Sequence, residues 1–138
     1  MPAALIDAGP MVALFDSASP AHEHYHDLLA DAPLTLTLHS TWPCVVEAAH
    51  FLSAPRRWAL MEWVARGGVS IFPFDTPDLL DMIPLMQRYT EPPRTDVDLA
   101  DATLLWLAAQ TGVTRIMTID VRDFLRYRLP DGRAFELL

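Results

Sequence analysis

Cysteine is almost missing from this chain: Cys44 is the only one in 138 residues. A single thiol excludes an internal disulfide and any cysteine-based metal spacing, which is compatible with a reducing compartment. No Lys or Arg precedes the first apolar stretch, and Asp7 interrupts it, so a secretory signal is not expected. The longest apolar stretch, around Leu104 to Ala109, falls far short of the roughly 20 residues that span a bilayer. The expectation is a soluble cytoplasmic protein with no membrane partner. Basic charge is also scarce, with ten Lys and Arg against eighteen Asp and Glu and a net charge of −8. That argues against coating nucleic acid through a basic surface. It leaves room for local binding of a phosphodiester through a divalent cation, which reverses the sign of the local field. Repeats, low-complexity tracts and linkers are absent, and the twelve prolines are scattered as punctuation between elements.

What is present reads as one globular domain over residues 1–138. Ala3 to Ile6 is a short apolar run ending in Asp7, a buried strand by its composition, and Gly9-Pro10 opens a helix over Met11 to Phe15. Ser19-Pro20 suggests a cap and first turn for a helix ending near Asp31. The alternation of Leu34 to Leu38 predicts a strand, and Ser40 or Thr41 can cap a helix carrying Val45, Val46, Ala49 and Leu52 on one face. A helix from about Pro55 to Arg66 stops at Gly67-Gly68, and Val69 to Phe72 is a third strand. Asp75-Thr76-Pro77 starts a further helix, kinked or broken at Pro84, and Glu91 to Val97 is a loop. Asp98 to Thr111 is a helix ended by Gly112. Arg115 to Ile119 makes a fourth strand, and the Ala134 to Leu138 tail is a candidate fifth. Strands alternating with helices predict an α/β sandwich, three layers deep, around a mostly parallel sheet of four or five strands. Ligands in such sheets gather at the carboxyl ends of the strands.

Acidic residues fall at those ends. Asp7 follows strand one and Asp120 follows strand four; Asp101 lies in the first turn of the helix before strand four, and Glu47 one turn into the helix after strand two. Carboxylates brought together repel unless a cation or protons intervene. An oxygen-only set without cysteine suits Mg²⁺ or Mn²⁺, and such a centre serves phosphodiester hydrolysis. Each acid also has an ordinary reading: Asp7 as a helix cap, Asp98 as a cap with Asp101 favouring the helix dipole, Asp120 as a turn residue. Glu47 among Val46, Ala48 and Ala49 is harder to explain that way, because an unpaired carboxylate on an apolar face is costly.

At these residues the sequence resembles a PIN domain of the VapC toxin type. Leu5-Ile6-Asp7-Ala8-Gly9-Pro10 with Val12-Ala13-Leu14, Val45-Val46-Glu47-Ala48, Asp98-Leu99-Ala100-Asp101-Ala102, and Thr118-Ile119-Asp120 with Asp123-Phe124 resemble the family's four motifs in order. The resemblance implies a Mg²⁺ or Mn²⁺ endoribonuclease with Asp7, Glu47, Asp101 and Asp120 as its metal-holding acidic site, in which Asp7, Asp101 and Asp120 hold metal directly or through water and Glu47 orients or deprotonates the attacking water. It implies Thr118 as a supporting hydroxyl, with Asp98 the helix cap and Asp123 an outer ligand or support. It also implies an RNA substrate, a 5′-phosphate product, an inhibitory antitoxin protein and a homodimer, hence a toxin–antitoxin system. The alternative is a catalytically weak PIN-fold interaction module. Arg94 and Arg122, in expected loops, are candidate phosphate contacts.

His22-Glu23-His24-Tyr25-His26 matches the zinc-protease pattern H-E-x-x-H but lacks a third ligand and any further protease context. Trp42, Trp58, Trp63 and Trp106 fit core or interface roles better than base-stacking platforms, with Trp58, Met61 and Trp63 suggesting an apolar surface for a partner. His39 and His50 read as structural.

Overall fold

The structure is a computed structural model that describes residues 2–31 and 35–138. Five strands, β1 (Ala3–Ile6), β2 (Thr37–Ser40), β3 (Ser70–Ile71), β4 (Arg115–Met117) and β5 (Glu136–Leu137), form one sheet in the order β3-β2-β1-β4-β5. Every pairing is parallel, so the sheet exceeds the mostly parallel expectation. Helices α1 (Ala8–Phe15), α2 (His22–Ala30), α3 (Trp42–Phe51), α4 (Ala54–Ala65), α5 (Leu79–Tyr89), α6 (Leu99–Thr111) and α7 (Val121–Arg126) flank it. None of the described helices is long and apolar enough to cross a membrane.

Apolar side chains fill the centre of the sheet. Ala4, Leu5, Ile6, Ile116 and Met117 are fully buried, as parallel strands covered on both faces require. Helix α6 is buried continuously from Ala100 to Ala108, and a helix apolar all round belongs in a core. Asp98 caps its start by accepting from the Asp101 N–H at 2.8 Å, and Gly112 ends it at φ 74°, the left-handed backbone that glycine adopts without penalty.

Several boundaries moved for tertiary reasons. Strand β2 runs two residues beyond its alternating pattern because β1 sets its register, Ala3 opposite Thr37; Leu34 lies outside the described residues. Strand β4 ends at Met117, since the Thr118 carbonyl is taken by the Tyr25 hydroxyl at 2.9 Å. Helix α2 starts at His22, not at Pro20, because Ser19 instead accepts from the Ala21 N–H in a turn before the helix. In α3 the buried face is Cys44, Val45 and Ala48, and Val46 is 66% exposed, which corrects the expected apolar stripe. The Thr41 side chain makes no capping bond there; it pairs with Thr103 at 2.7 Å. Helix α5 continues through Pro84, which stands on the exposed side, where the carbonyl it leaves unpaired can be hydrated. A short 3-10 turn, Thr76–Asp78, precedes it.

Trp63 packs edge-on against Phe15 and covers Gly68 so closely that a Cβ there would overlap the indole ring. Gly68→Ala is expected to displace the ring and cost about 1–3 kcal/mol, measured as a lower urea midpoint; an unchanged midpoint would mean that the indole has another place to go.

Candidate active site

Strand order reverses direction at β1, with β2 on one side and β4 on the other, which is where open α/β sheets build their crevice. A cleft of about 300 Å³ lies there, lined by Asp7, Ala8, Gly9, Glu47, Asp96, Asp98, Asp101, Ile119, Asp120 and Asp123. Seven of the ten lining residues are carboxylic acids and none is basic. The structure therefore brings together Asp7, Glu47, Asp98, Asp101, Asp120 and Asp123, all singled out from sequence, and adds Asp96.

Each acid is held by a local device. Asp7 leaves β1 and caps α1, accepting from the Ala8 N–H at 2.7 Å. Its other oxygen accepts from the Thr118 hydroxyl at 3.0 Å, and that hydroxyl also accepts from the Asp120 N–H at 3.0 Å. One threonine thus ties the ends of β1 and β4 together. Asp120 caps α7 by accepting from the Asp123 N–H at 3.2 Å. This six-residue helix was missed in the sequence, although Asp120 followed by Asp123 is an acidic cap pair; Arg122 accordingly sits in its first turn and not in a loop. Asp101 accepts from the Tyr127 hydroxyl at 2.9 Å.

Asp101, Asp120 and Asp123 each present an oxygen within 4.8 Å of the others, a grouping that can hold a metal ion. Asp7 and Glu47 face the same cleft. Burial and mutual repulsion oppose ionisation here. Burial first, then the charges of Asp7 and Asp98, pushes the Asp101 carboxyl up to about 8. Burial, followed by Asp123, pushes Asp120 up to about 6. Asp7 is raised chiefly by burial despite its two hydrogen bonds, and Glu47 by burial and then Asp98 and Asp7. Asp7 and Asp101 are only 8% and 9% exposed. A buried group of carboxylates that resist ionising together is a site that gains from a cation. The donors are all carboxylate oxygens, with no cysteine or histidine lining the cleft, so they fit a hard divalent ion.

Tyr127 carried no signal in the sequence. Its ring is fully buried, set edge-on to Tyr89 and Phe124, and its hydroxyl engages one oxygen of Asp101. Tyr127→Phe is expected to lower apparent Mn²⁺ affinity by about tenfold, the usual scale for losing a partner of a metal ligand, and to cost about 1 kcal/mol of stability. A Mn²⁺ titration of wild type and variant checks this; identical midpoints would relieve Tyr127 of that role.

Other sequence candidates fall elsewhere. His22 donates from Nδ1 to the Ala13 carbonyl at 2.7 Å, and its ring stacks on His26; neither lines the acidic cleft. Trp106 is core, against Phe72 and Phe74. Trp42 and Trp58 are exposed. Burial pushes the Cys44 thiol up to about 12, which makes it inert.

Comparison with known proteins agrees with this fold. A profile of the PIN domain matches residues 4–129. Among solved structures, the Mycobacterium tuberculosis toxin VapC20, described as cleaving the sarcin–ricin loop, superposes with a TM-score of 0.71 at 14% identity, covering 86% of this chain and 91% of that one. At that identity the likeness concerns the fold. No curated protein matches the sequence. Since the profile takes in every acidic segment of the cleft and nearly all of the chain, the protein belongs to the PIN-domain family.

Proposed function

We propose that the protein is a Mg²⁺- or Mn²⁺-dependent endoribonuclease, the toxin of a type II toxin–antitoxin pair. The observation that carries this reading is the convergence of Asp101, Asp120 and Asp123 within 4.8 Å in a cleft that Asp7 and Glu47 also line. PIN domains are typically metal-dependent nucleases, and the VapC20 likeness favours RNA over DNA.

Asp7, Asp101 and Asp120 would hold the cation, with Asp123 beside them. The bound ion supplies Lewis acidity toward a phosphodiester and neutralises the charge gathered there. Thr118 fixes the Asp7 carboxylate and the Asp120 backbone, and Tyr127 fixes Asp101. Glu47, half-buried on α3, keeps a raised affinity for protons, which suits it to orient a water and take its proton. Attack on phosphorus with departure of the ribose 3′-oxygen leaves a 5′-phosphate and a 3′-hydroxyl. An antitoxin placing an Arg among the carboxylates would inhibit by supplying the cation's charge, and a homodimer would extend the RNA surface.

A second reading, an interaction module, is favoured by the open apolar groove of Trp42, Pro43, Val46, His50, Phe74 and Leu99 beside the cleft. Incubation of mixed structured RNAs with Mn²⁺ or Mg²⁺ separates the two. Cleavage that EDTA stops, with 5′-phosphate ends, is the expected result; intact RNA under all conditions would leave the module reading.

A further inference from the structure

All ten of the Lys and Arg side chains are arginines, and the first of them is Arg56. Most are committed within the fold. Arg56, Arg66, Arg115 and Arg133 face Asp16, Glu62, Glu136 and Asp131, and Arg57 is folded onto the Ala49 and Leu52 carbonyls. Arg128 reaches the Leu125 and Tyr127 carbonyls, and Arg126 lies 3.6 Å from Asp123. Arg88, Arg94 and Arg122 differ: they are exposed, and among the described residues their guanidinium groups have neither a carboxylate partner nor a hydrogen bond. Among the described residues Arg88 makes a ring contact, with its guanidinium 5.4 Å from the Tyr89 centroid.

All three connect to residues that line the acidic cleft, Arg94 and Arg122 along the chain and Arg88 through the contacts of its neighbour Tyr89. Arg122 stands between Asp120 and Asp123, both lining residues. Arg94 precedes a third, Asp96, by two positions in the turn closed by the Glu91–Thr95 bridge. Arg88 ends α5 beside Tyr89, whose carbonyl accepts from Arg126 at 3.1 Å, and Arg126 reaches on to Asp123. An apolar groove of Trp42, Val46, Phe74 and Leu99 adjoins the cleft and shares Glu47 and Asp98 with it. In a chain at −8, unpaired guanidinium groups on exposed ground beside abundant carboxylates are free to take an external anion. Guanidinium matches a phosphate oxygen pair.

We propose that Arg88, Arg94 and Arg122 form a phosphate track that holds the backbone of single-stranded RNA along one rim of the acidic cleft. The proposal rests on the ribonuclease reading and adds the path the strand takes. The track binds substrate and transition state alike, so it acts on KM and leaves kcat.

The test uses a fluorescein-labelled single-stranded RNA, the Asp7→Asn protein to prevent turnover, and anisotropy at several salt concentrations. Each neutralised phosphate contributes about 0.7 to the slope of log affinity against log salt for single strands. The triple variant Arg88→Ala, Arg94→Ala, Arg122→Ala is expected to lower that slope by about 2 and weaken binding at least tenfold, while Arg66→Ala changes neither. In the Asp7-containing protein the triple variant is expected to raise KM with kcat unchanged. An unaltered slope and KM alongside normal RNA cleavage would overturn the track and leave the nuclease standing. Loss of binding to polyglutamate but not to RNA would overturn it in favour of an acidic protein partner. RNA neither cleaved by wild type nor bound by Asp7→Asn would overturn both readings.

Discussion

Asp101→Asn is expected to reduce metal-dependent RNA cleavage a hundredfold or more and, without metal, to raise the melting temperature. Both effects have one cause. Asp101 is 9% exposed and shares the cleft with Asp7, Asp98 and Asp120, so its charge is costly unless a cation answers it. The amide keeps the shape of the side chain and an oxygen to accept the Tyr127 hydroxyl, now 2.9 Å from Oδ2. What it removes is the negative charge and one of three converging donors. Loss of a mere partner of a metal ligand typically costs 10–100-fold, so loss of the donor itself belongs at or above that range. Assayed together, single-turnover cleavage with Mn²⁺ and thermal unfolding in EDTA separate this account from simple misfolding, which would lower both. Undiminished cleavage would remove Asp101 from the site.

The second large effect is on stability against pH. Asp101 is raised from 3.8 to about 8 and Asp120 to about 6, with Asp7 and Glu47 also raised. The folded chain therefore keeps protons that the unfolded chain has already released. Stability from these groups is fully present below the ordinary carboxylate range, and it is lost as pH rises through about 6 and then about 8. A cation binds only the ionised, folded cluster and restores stability by mass action, about 2.7 kcal/mol at a hundred times its dissociation constant. Metal-free protein is thus expected to melt progressively lower from about pH 5 to about pH 8.5, with Mn²⁺ raising the melting temperature most at the alkaline end. Melting temperatures flat with pH and indifferent to Mn²⁺ would contradict the charge arrangement described.

The gathering of these acids in one cleft was largely legible because they sit where chain geometry puts them. Asp7 closes an apolar run of four, Asp101 opens a long apolar helix, and Glu47 interrupts an apolar face. Spacing of that kind survives without coordinates. What sequence pattern did not reveal depends on tertiary pairing. The bounds of β2 follow from β1, and those of β4 from a tyrosine 93 positions away that takes the Thr118 carbonyl. The contact of Tyr127 with Asp101 spans 26 positions and needs α7 to turn the ring inward. Val46 was misplaced because one apolar residue among several on a helix does not reveal which side the sheet covers; Asp96 was overlooked because a loop acid has no periodicity to mark it.

The most direct test titrates Mn²⁺ into wild type and Asp101→Asn while following both metal binding by calorimetry and cleavage of a labelled RNA. A metal-dependent acidic centre predicts that wild type binds Mn²⁺ saturably and gains cleavage over the same concentrations, and that Asp101→Asn loses both. Equal binding and equal cleavage by the two proteins would contradict it.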